Sequence, residues 1–237
     1  MKYAMRTDPS LVPSAYQMLR DEILHGDLMP GERLRVSALN KRYQMGLTPL
    51  REALVRLASE GLVENEANRG ASVRQASVSE LRDLFSARRE IEAMCLRRAM
   101  ANRTPEWEAE ILRAQHLLSR APVPKSSEDR ARAAHWEAMH RQFHRALVAA
   151  CDSQWRLSFW ETLADHSERY RKLRLVTPGP DQADPRNIKA EHEAIAQAVL
   201  AGDEDRAVAL MDSHLAATEQ VVAQILRKTE SKEGETA

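Results

Sequence analysis

Eight histidines occur in the chain, and four of them stand at spacings that can do chemistry. His140 and His144 are four residues apart, which on a helix places both rings on one face. His192 follows Ile188 by four and precedes Ile195 by three, on the apolar side of its segment. His214 follows Met211 by three and precedes Thr218 by four, and again faces inward. Imidazoles brought together from three helices can hold one divalent ion. Their nitrogens suit zinc or nickel, and the interior of a helix bundle is a common place for such a site. A single inward histidine reads as a hydrogen-bonded core residue; four together open the metal reading. Arg88 lies three residues after Phe85 and three before Ile91, so it is also turned inward. A buried guanidinium needs a partner. Glu92 at i+4 is one, and the carboxylate of a bound organic acid is another, matched to the guanidinium fork.

A second chemical segment is Leu47-Thr48-Pro49-Leu50-Arg51-Glu52-Ala53-Leu54. A helix that reads the major groove presents short polar and basic side chains from its N-terminal end. Thr48 and Arg51 stand there, and Arg51 can bond a phosphate or the O6/N7 edge of guanine. Formal net charge is zero, but from Arg33 to Arg56 the charged residues are Arg33, Arg35, Lys41, Arg42, Arg51 and Arg56 against Glu52 alone. A local basic face holds phosphate without making the whole protein basic. Arg56 is too far along the helix to be a first choice. The candidate DNA-contacting set is Arg35, Thr48 and Arg51, with Asn68, Arg69 and Gly70 at a turn that can reach the minor groove or backbone. The plainer alternative is that Arg51 and Glu52 form solvated surface pairs.

The elements that must position these residues follow from periodicity and punctuation. Tyr16, Leu19, Ile23 and Leu24 mark a first helix that Gly26 ends. Val36, Leu39 and Tyr43 mark a short second helix. Thr48 as N-cap and Pro49 at the first helical position open a third, with Leu50, Leu54, Leu57 and Ala58 as its stripe. Leu62–Asn65 and Ala71–Arg74 flank a polar turn and read as a hairpin. Three helices and a hairpin in about 75 residues make a winged helix-turn-helix. Beyond it the pattern is helical near 78–102, 105–120, 127–151, 154–175, 185–201 and 203–228. The expected fold class is therefore mostly α: an N-terminal winged helix-turn-helix plus a C-terminal all-α antiparallel helical bundle. The domain reading is 1–75 for the DNA-binding unit, 76–78 for a linker, 79–228 for the helical unit and 229–237 for a charged, disordered tail.

These motifs resemble a known family. Ile23-Leu24-His25-Gly26-Asp27-Leu28-Met29-Pro30-Gly31-Glu32-Arg33-Leu34 is similar to the GntR-type signature. Thr48–Leu54, Leu57-x-x-Glu60-Gly61-Leu62-Val63 and Asn68-Arg69-Gly70 continue it. One departure stands out. The family usually has Ser-Arg before Thr-Pro, and this chain has Gly46-Leu47. The base-contacting arginine of that position is absent, and Leu47 becomes a candidate for contact with a thymine methyl. The helical half resembles the FCD effector domain of the FadR branch. Arg88-x-x-x-Glu92, His140-x-x-Phe143-His144-x-x-Leu147, Glu191-His192-x-x-Ile195 and Ala207-x-x-x-Met211-x-x-His214-Leu215 fall in the same order. That resemblance implies metal ligands at His144, His192 and His214. Metal-binding members have an Asp where this chain has His140. His140 is then either a fourth ligand or an effector contact. Arg88 is implied to face the effector pocket. Segments around Glu90–Ala93, Glu106–Ala109 and His140–His144 resemble a glutarate-responsive subgroup, which implies a dicarboxylate or hydroxy-dicarboxylate ligand.

The implied function is a sequence-specific transcription regulator, a repressor released from operator DNA by a small (di)carboxylic acid, with a divalent metal in the pocket. Reading two half-sites about one turn apart implies a homodimer. The competing class is a metal-dependent hydrolase or oxygenase on the histidine cluster. No HExxH or similar motif supports it, and the fused winged unit argues for sensing. Bulk properties fit a soluble regulator in the cytoplasm with no membrane partner. The chain has 237 residues, 43% hydrophobic and 30% charged. The isolated Cys95 and Cys151 indicate no disulfide framework, and no apolar run is long enough to span a bilayer.

Overall fold

The computed structural model describes residues 14–66, 70–122, 130–176 and 186–234. The chain divides between Ala76 and Ser77 into two compact units. The expected loose arm over residues 1–10, the wing residues Asn68 and Arg69, and the break at Thr177–Pro180 lie outside the described residues.

In the first unit, Ser14 caps helix α1 (Ala15–His25), its side chain accepting from the Gln17 N–H. Gly26 takes the left-handed conformation at φ 75° and closes it. Strand β1 (Arg33–Leu34) leads into α2 (Val36–Tyr43), which ends on a left-handed Gln44. Helix α3 spans Leu47–Ser59. Its stripe of Leu50, Ala53, Leu54 and Leu57 is buried against Leu19, Ile23 and Leu28. Strands β2 (Val63–Glu66) and β3 (Gly70–Val73) form the hairpin, with Val63 opposite Val73 and Glu66 opposite Gly70. This is a winged helix-turn-helix.

Three details differ from expectation. Thr48 is not the N-cap of α3: Gly46 is, and Thr48 and Pro49 are the second and third helical residues. Gly46 sits at φ 86°, ψ 154°, a region that is essentially glycine-only, and its N–H donates to Asn40 Oδ1 at 2.8 Å. Proline is still tolerated at the third position, because the first N–H groups of a helix lack intrahelical partners. The hairpin strands are each shifted by one residue from the expected 62–65 and 71–74. The sheet also has a third strand, in the order β1-β3-β2, with Arg33 opposite Ser72 and Leu34 opposite Ala71. A two-residue strand has no periodicity to reveal it.

The second unit contains α4 (Val78–Ala101), α5 (Pro105–Arg120), α6 (Arg130–Val148), α7 (Gln154–Val176), α8 (Ile188–Ala201) and α9 (Glu204–Gly234). Caps set most of their starts. Ser77, Thr104 and Asn187 accept from the N–H groups of Glu80, Trp107 and Ala190. Helix α4 packs on α7 and α9, α5 on α6 and α8, and α8 on α9. The core includes Phe85, Leu96, Phe143, Leu147, Trp160 and Ile195. Among the described residues no helix is long and apolar enough to cross a membrane.

The charged tail expected from residue 229 is corrected in part, since α9 continues to Gly234. Lys228, Glu230, Lys232 and Glu233 are good helix formers, which fits a helix through this charged stretch.

Gly46→Ala should lower the unfolding free energy of the DNA-binding unit by about 1–3 kcal/mol through backbone strain. An added Cβ would meet nothing closer than Pro49 Cδ at 3.6 Å, so steric conflict is not the cause. Urea denaturation of the full chain measures this; an unchanged midpoint would show that the cap geometry is relaxed at no expense.

Candidate metal centre and nucleic-acid interface

Helix α6 carries Glu137, His140 and His144 at steps of three and four residues, so all three share one face. The partners that meet this face come from other helices: Arg88 and Glu92 from α4, Arg171 from α7, His192 from α8 and His214 from α9. One ligand atom from each of His140, His144, His192 and His214 lies within 4.8 Å of the others, and all four residues are buried. Ring centroids are 4.5 Å apart for His140 and His144, and 4.7 Å for His192 and His214. Trp136 stacks on His140 at 4.8 Å.

The nitrogens are positioned for coordination. His140 Nδ1, both His144 nitrogens and His192 Nε2 are buried without a hydrogen-bond partner. Leaving one buried polar group unpaired costs about 1–3 kcal/mol, so several in one place call for a ligand. His214 is oriented differently. Its Nδ1 lies 2.7 Å from Glu191 Oε2. An ionised carboxylate only accepts, so Nδ1 must carry the proton and Nε2 is left for the cluster. Arg186 fixes that carboxylate, donating from Nε and Nη2 at 3.0 and 2.6 Å, and also reaches the His214 carbonyl.

Electrostatics keep the rings in the liganding form. Burial holds His140 well below its ordinary value near 6.5, and His144 and Arg171 push it further down. Burial dominates for His144 too, followed by His214 and Arg88. His192 is lowered by burial and by His214. In His214 burial outweighs the opposing bond to Glu191. All four are therefore neutral at pH 7, which is the state that binds metal. Burial also works on Glu191, but its bonds to His214 and Arg186 win and hold it at about 2. The donor set fits a divalent ion.

Two ion pairs border the cluster on the α4 and α7 sides. Arg88 is 3% exposed, with its Nε 3.6 Å from Glu92 Oε2. That contact is too long for a hydrogen bond, and Arg88 Nε and Nη1 have no partner. Trp160 Nε1 donates to Glu92 Oε2 at 2.8 Å, while Glu92 Oε1 lies 3.8 Å from His144 Nδ1. Burial lowers Arg88 to about 10, which leaves it charged at neutral pH. The other pair is Arg171 with Glu137, at 2.8 Å from Nη2 to Oε2. The sequence reading found the four histidines and Arg88 but missed Glu137, Arg171, Arg186 and the positioning role of Glu191. Glu137 had a signal, one turn before His140 on the same face. Arg171 sits in the charged run Arg169–Lys172, which resembles a solvated surface.

In the winged unit, Thr48 and Arg51 are exposed at the start of α3, beside Leu47 at 46% exposure. Arg33, Arg35, Lys41 and Arg51 are all exposed, and none makes an ion pair among the described residues. The remaining two cations of that stretch are engaged. Arg42 pairs with Glu22, and Arg56 pairs with Glu60 and lies 3.7 Å over the Tyr16 ring. The unpaired cations thus include the predicted Arg35 and Arg51, and Arg56 is drawn aside. Gly70, at φ 85°, opens β3.

Comparison with known proteins agrees with both halves. Residues 11–73 match the bacterial regulatory proteins of the gntR family, and residues 83–217 match the FCD domain. The HTH-type transcriptional repressor GlaR of Escherichia coli K12 is 37% identical over 213 residues, covering 89% of this chain and 95% of the relative. The HTH-type transcriptional regulator BphR of Paraburkholderia xenovorans LB400 is 35% identical over 222 residues, 91% of this chain and 86% of its own. Among solved structures, E. coli McbR/YncC superposes with a TM-score of 0.71 at 22% identity, over 89% of this chain and 95% of that one. That last likeness concerns the fold alone. The matching families and relatives are transcription regulators and not enzymes. The chain belongs to the GntR family of bacterial regulatory proteins, in the branch that joins the winged reader to an FCD domain.

Proposed function

We propose that the protein is a ligand-responsive repressor, a homodimer that binds operator DNA and releases it when a small organic (di)carboxylic acid enters the helical unit. The observation that carries this reading is the buried, unpartnered donor set of His140, His144, His192 and Arg88, in a chain that also holds a DNA-reading unit. His144, His192 and His214 would hold a divalent ion, zinc or nickel by donor chemistry, with His140 as the fourth nitrogen. Such an ion supplies a Lewis-acid point for a carboxylate.

The rest is done by the chain's own groups. Arg88 offers Nε and Nη1 to the acid. The surrounding charges cancel in pairs: Arg88 with Glu92, Arg171 with Glu137, and Arg186 with Glu191. The four imidazoles add none. The two positive charges of a divalent ion are then not answered by these side chains, which favours an anionic ligand.

A route for the response runs along α7. Tyr170 OH donates to Glu80 Oε2 at 2.6 Å, and Arg169 lies 3.4 Å from both Glu80 oxygens. Glu80 is in the first turn of α4, just after Ser77, where the chain arrives from the DNA-binding unit. Arg171 follows directly and touches Glu137. An acid that shifts this turn of α7 therefore biases the start of α4, a population shift between DNA-competent and incompetent arrangements. The sign as a repressor rests on the name of GlaR.

In the winged unit, Arg51 meets a phosphate or guanine and Arg35 the backbone, with Asn68, Arg69 and Gly70 at the wing. The central test is a gel shift with upstream DNA of the protein's own operon, titrated with organic acids in the presence of zinc or nickel. Acid-dependent release supports the reading, and insensitivity to every acid argues against it.

Arg51→Ala should abolish operator binding while leaving helix content and dimer mass unchanged, as read by gel shift, circular dichroism and light scattering. His192→Ala combined with His214→Ala should bring bound metal to background in elemental analysis of protein purified without chelator; metal retained in full would place the ion elsewhere.

The histidines also predict a pH dependence. Their folded values lie below the unfolded value near 6.5. The unfolded chain therefore binds more protons as pH falls through that region. Metal-stripped protein should keep its full stability above about pH 6.5 and lose it below, by up to about 1.4 kcal/mol per histidine per pH unit. Thermal melts from pH 7.5 down to 5 would measure the slope. A flat profile would mean that the rings are solvated in the metal-free protein.

A further inference from the structure

Beside Arg88, the helical unit holds a second guanidinium near the cluster, Arg171 of α7, that no sequence motif assigned. Arg171 is 11% exposed and leans on Glu137, with Nη2 at 2.8 Å from Oε2 and Nε at 3.5 Å from Oε1. Glu137 is one turn before His140 on the inward face of α6, so this pair stands beside the histidine cluster. The two cations act on overlapping but different members of the cluster. Arg171 acts on His140 and His144, whereas Arg88 acts on His144 and His214.

Each guanidinium carries five N–H donors and no acceptor. The carboxylates nearest them are those of Glu92 and Glu137, with Glu168 also acting on Arg171. Glu92 is 3.6 Å from Arg88 and shared with Trp160, and Glu137 meets Arg171 unevenly. Two neighbouring arginines, one of them with Nε and Nη1 unpartnered, are a poor arrangement for a core that holds nothing else. They are a good one for a ligand that brings acceptors at two points.

We propose that Arg171 is a second anion-binding residue of the effector site, with Glu137 occupying it in the place of a ligand carboxylate, and that it selects acids with two anionic groups over acids with one. This rests on the effector reading given above. The first carboxylate is held on the Arg88 and histidine side. The second displaces the Glu137 contact on Arg171 or joins it through the remaining N–H groups. No covalent step is involved. A monocarboxylate of equal length reaches one side only.

The experiment is calorimetric titration of the full-length, zinc-loaded protein with the linear dicarboxylates from malonate to adipate and with monocarboxylates of matching length. The expected wild-type result is a preference of at least about tenfold for one dicarboxylate, roughly 1.4 kcal/mol. Removing Arg171 alone would strand Glu137 as a buried charge and threaten folding, so the informative variant is Arg171→Gln with Glu137→Gln. It should keep its metal and its affinity for the monocarboxylate while the preference collapses. Glu137→Gln alone should tighten dicarboxylate binding, because the competitor is gone. A double variant that keeps the preference overturns the role of Arg171 and leaves the effector reading standing. Wild-type protein that binds acids without preference also overturns it. Wild-type protein that binds neither series overturns the effector reading and this inference with it.

Discussion

Removing charge and hydrogen-bonding groups from water is the constraint on which the helical unit is built. Four imidazoles, Arg88, Glu92 and Glu137 are buried in the helical bundle, and the partly buried Arg171, Arg186 and Glu191 join them there. Burial alone disfavours every charged member of that set. The chain answers by giving each arginine a glutamate and by keeping the histidines neutral. The unpaired atoms that remain are on the inner side, at His140, His144, His192, Arg88 and Glu92. Five helices contribute to this arrangement, because no single helix can present donors from all directions. The bundle exists in this form to hold those groups in register.

The winged unit solves the opposite problem. Its core is purely apolar, from Leu19 and Ile23 through Leu50, Leu57 and Val73. Arg33, Arg35, Lys41 and Arg51 are left in water, where a phosphate can replace the solvent at little desolvation expense. Arg42 and Arg56 are drawn into contacts with Glu22 and Glu60, and the cations left unpaired are those outside that inner ring. The same side chain chemistry thus does two jobs, set by burial. On the reading proposed above, exposed guanidinium groups would meet a polyanion that varies in sequence, and buried ones a small anion of fixed shape.

Much of this was legible in the sequence, for reasons that differ by residue. Gly26, Thr104 with Pro105, and Gly202 are local signals, and they lie at helix ends. The histidines were legible because their spacing to apolar neighbours fixes which way they face. Gly46 was harder. Thr48-Pro49 has the local signature of a helix start, but the cap depends on Asn40, six residues back, and on a backbone conformation that only glycine adopts. Strand β1 was invisible because its pairing with β3 is long-range and only two residues long. Arg171 was missed because nothing in Arg169-Tyr170-Arg171 distinguishes a cation facing Glu137 from one facing solvent. Tertiary packing decides that, and the decision lies in α6 and α4.

His140 shows how one substitution moves the burden of charge from protein to ligand. Where a carboxylate stands at that position, the protein itself neutralises one of the two charges of a divalent ion. An imidazole coordinates without neutralising. With every arginine already matched by a glutamate, no other side chain around the cluster makes up the difference. On the effector reading proposed above, a ligand bound beside the ion would then have to carry negative charge that a carboxylate at this position would otherwise supply. Charge balance alone asks only for an anion. Telling a dianion from a monoanion falls to the second guanidinium, Arg171, which stands with Glu137 one turn from His140.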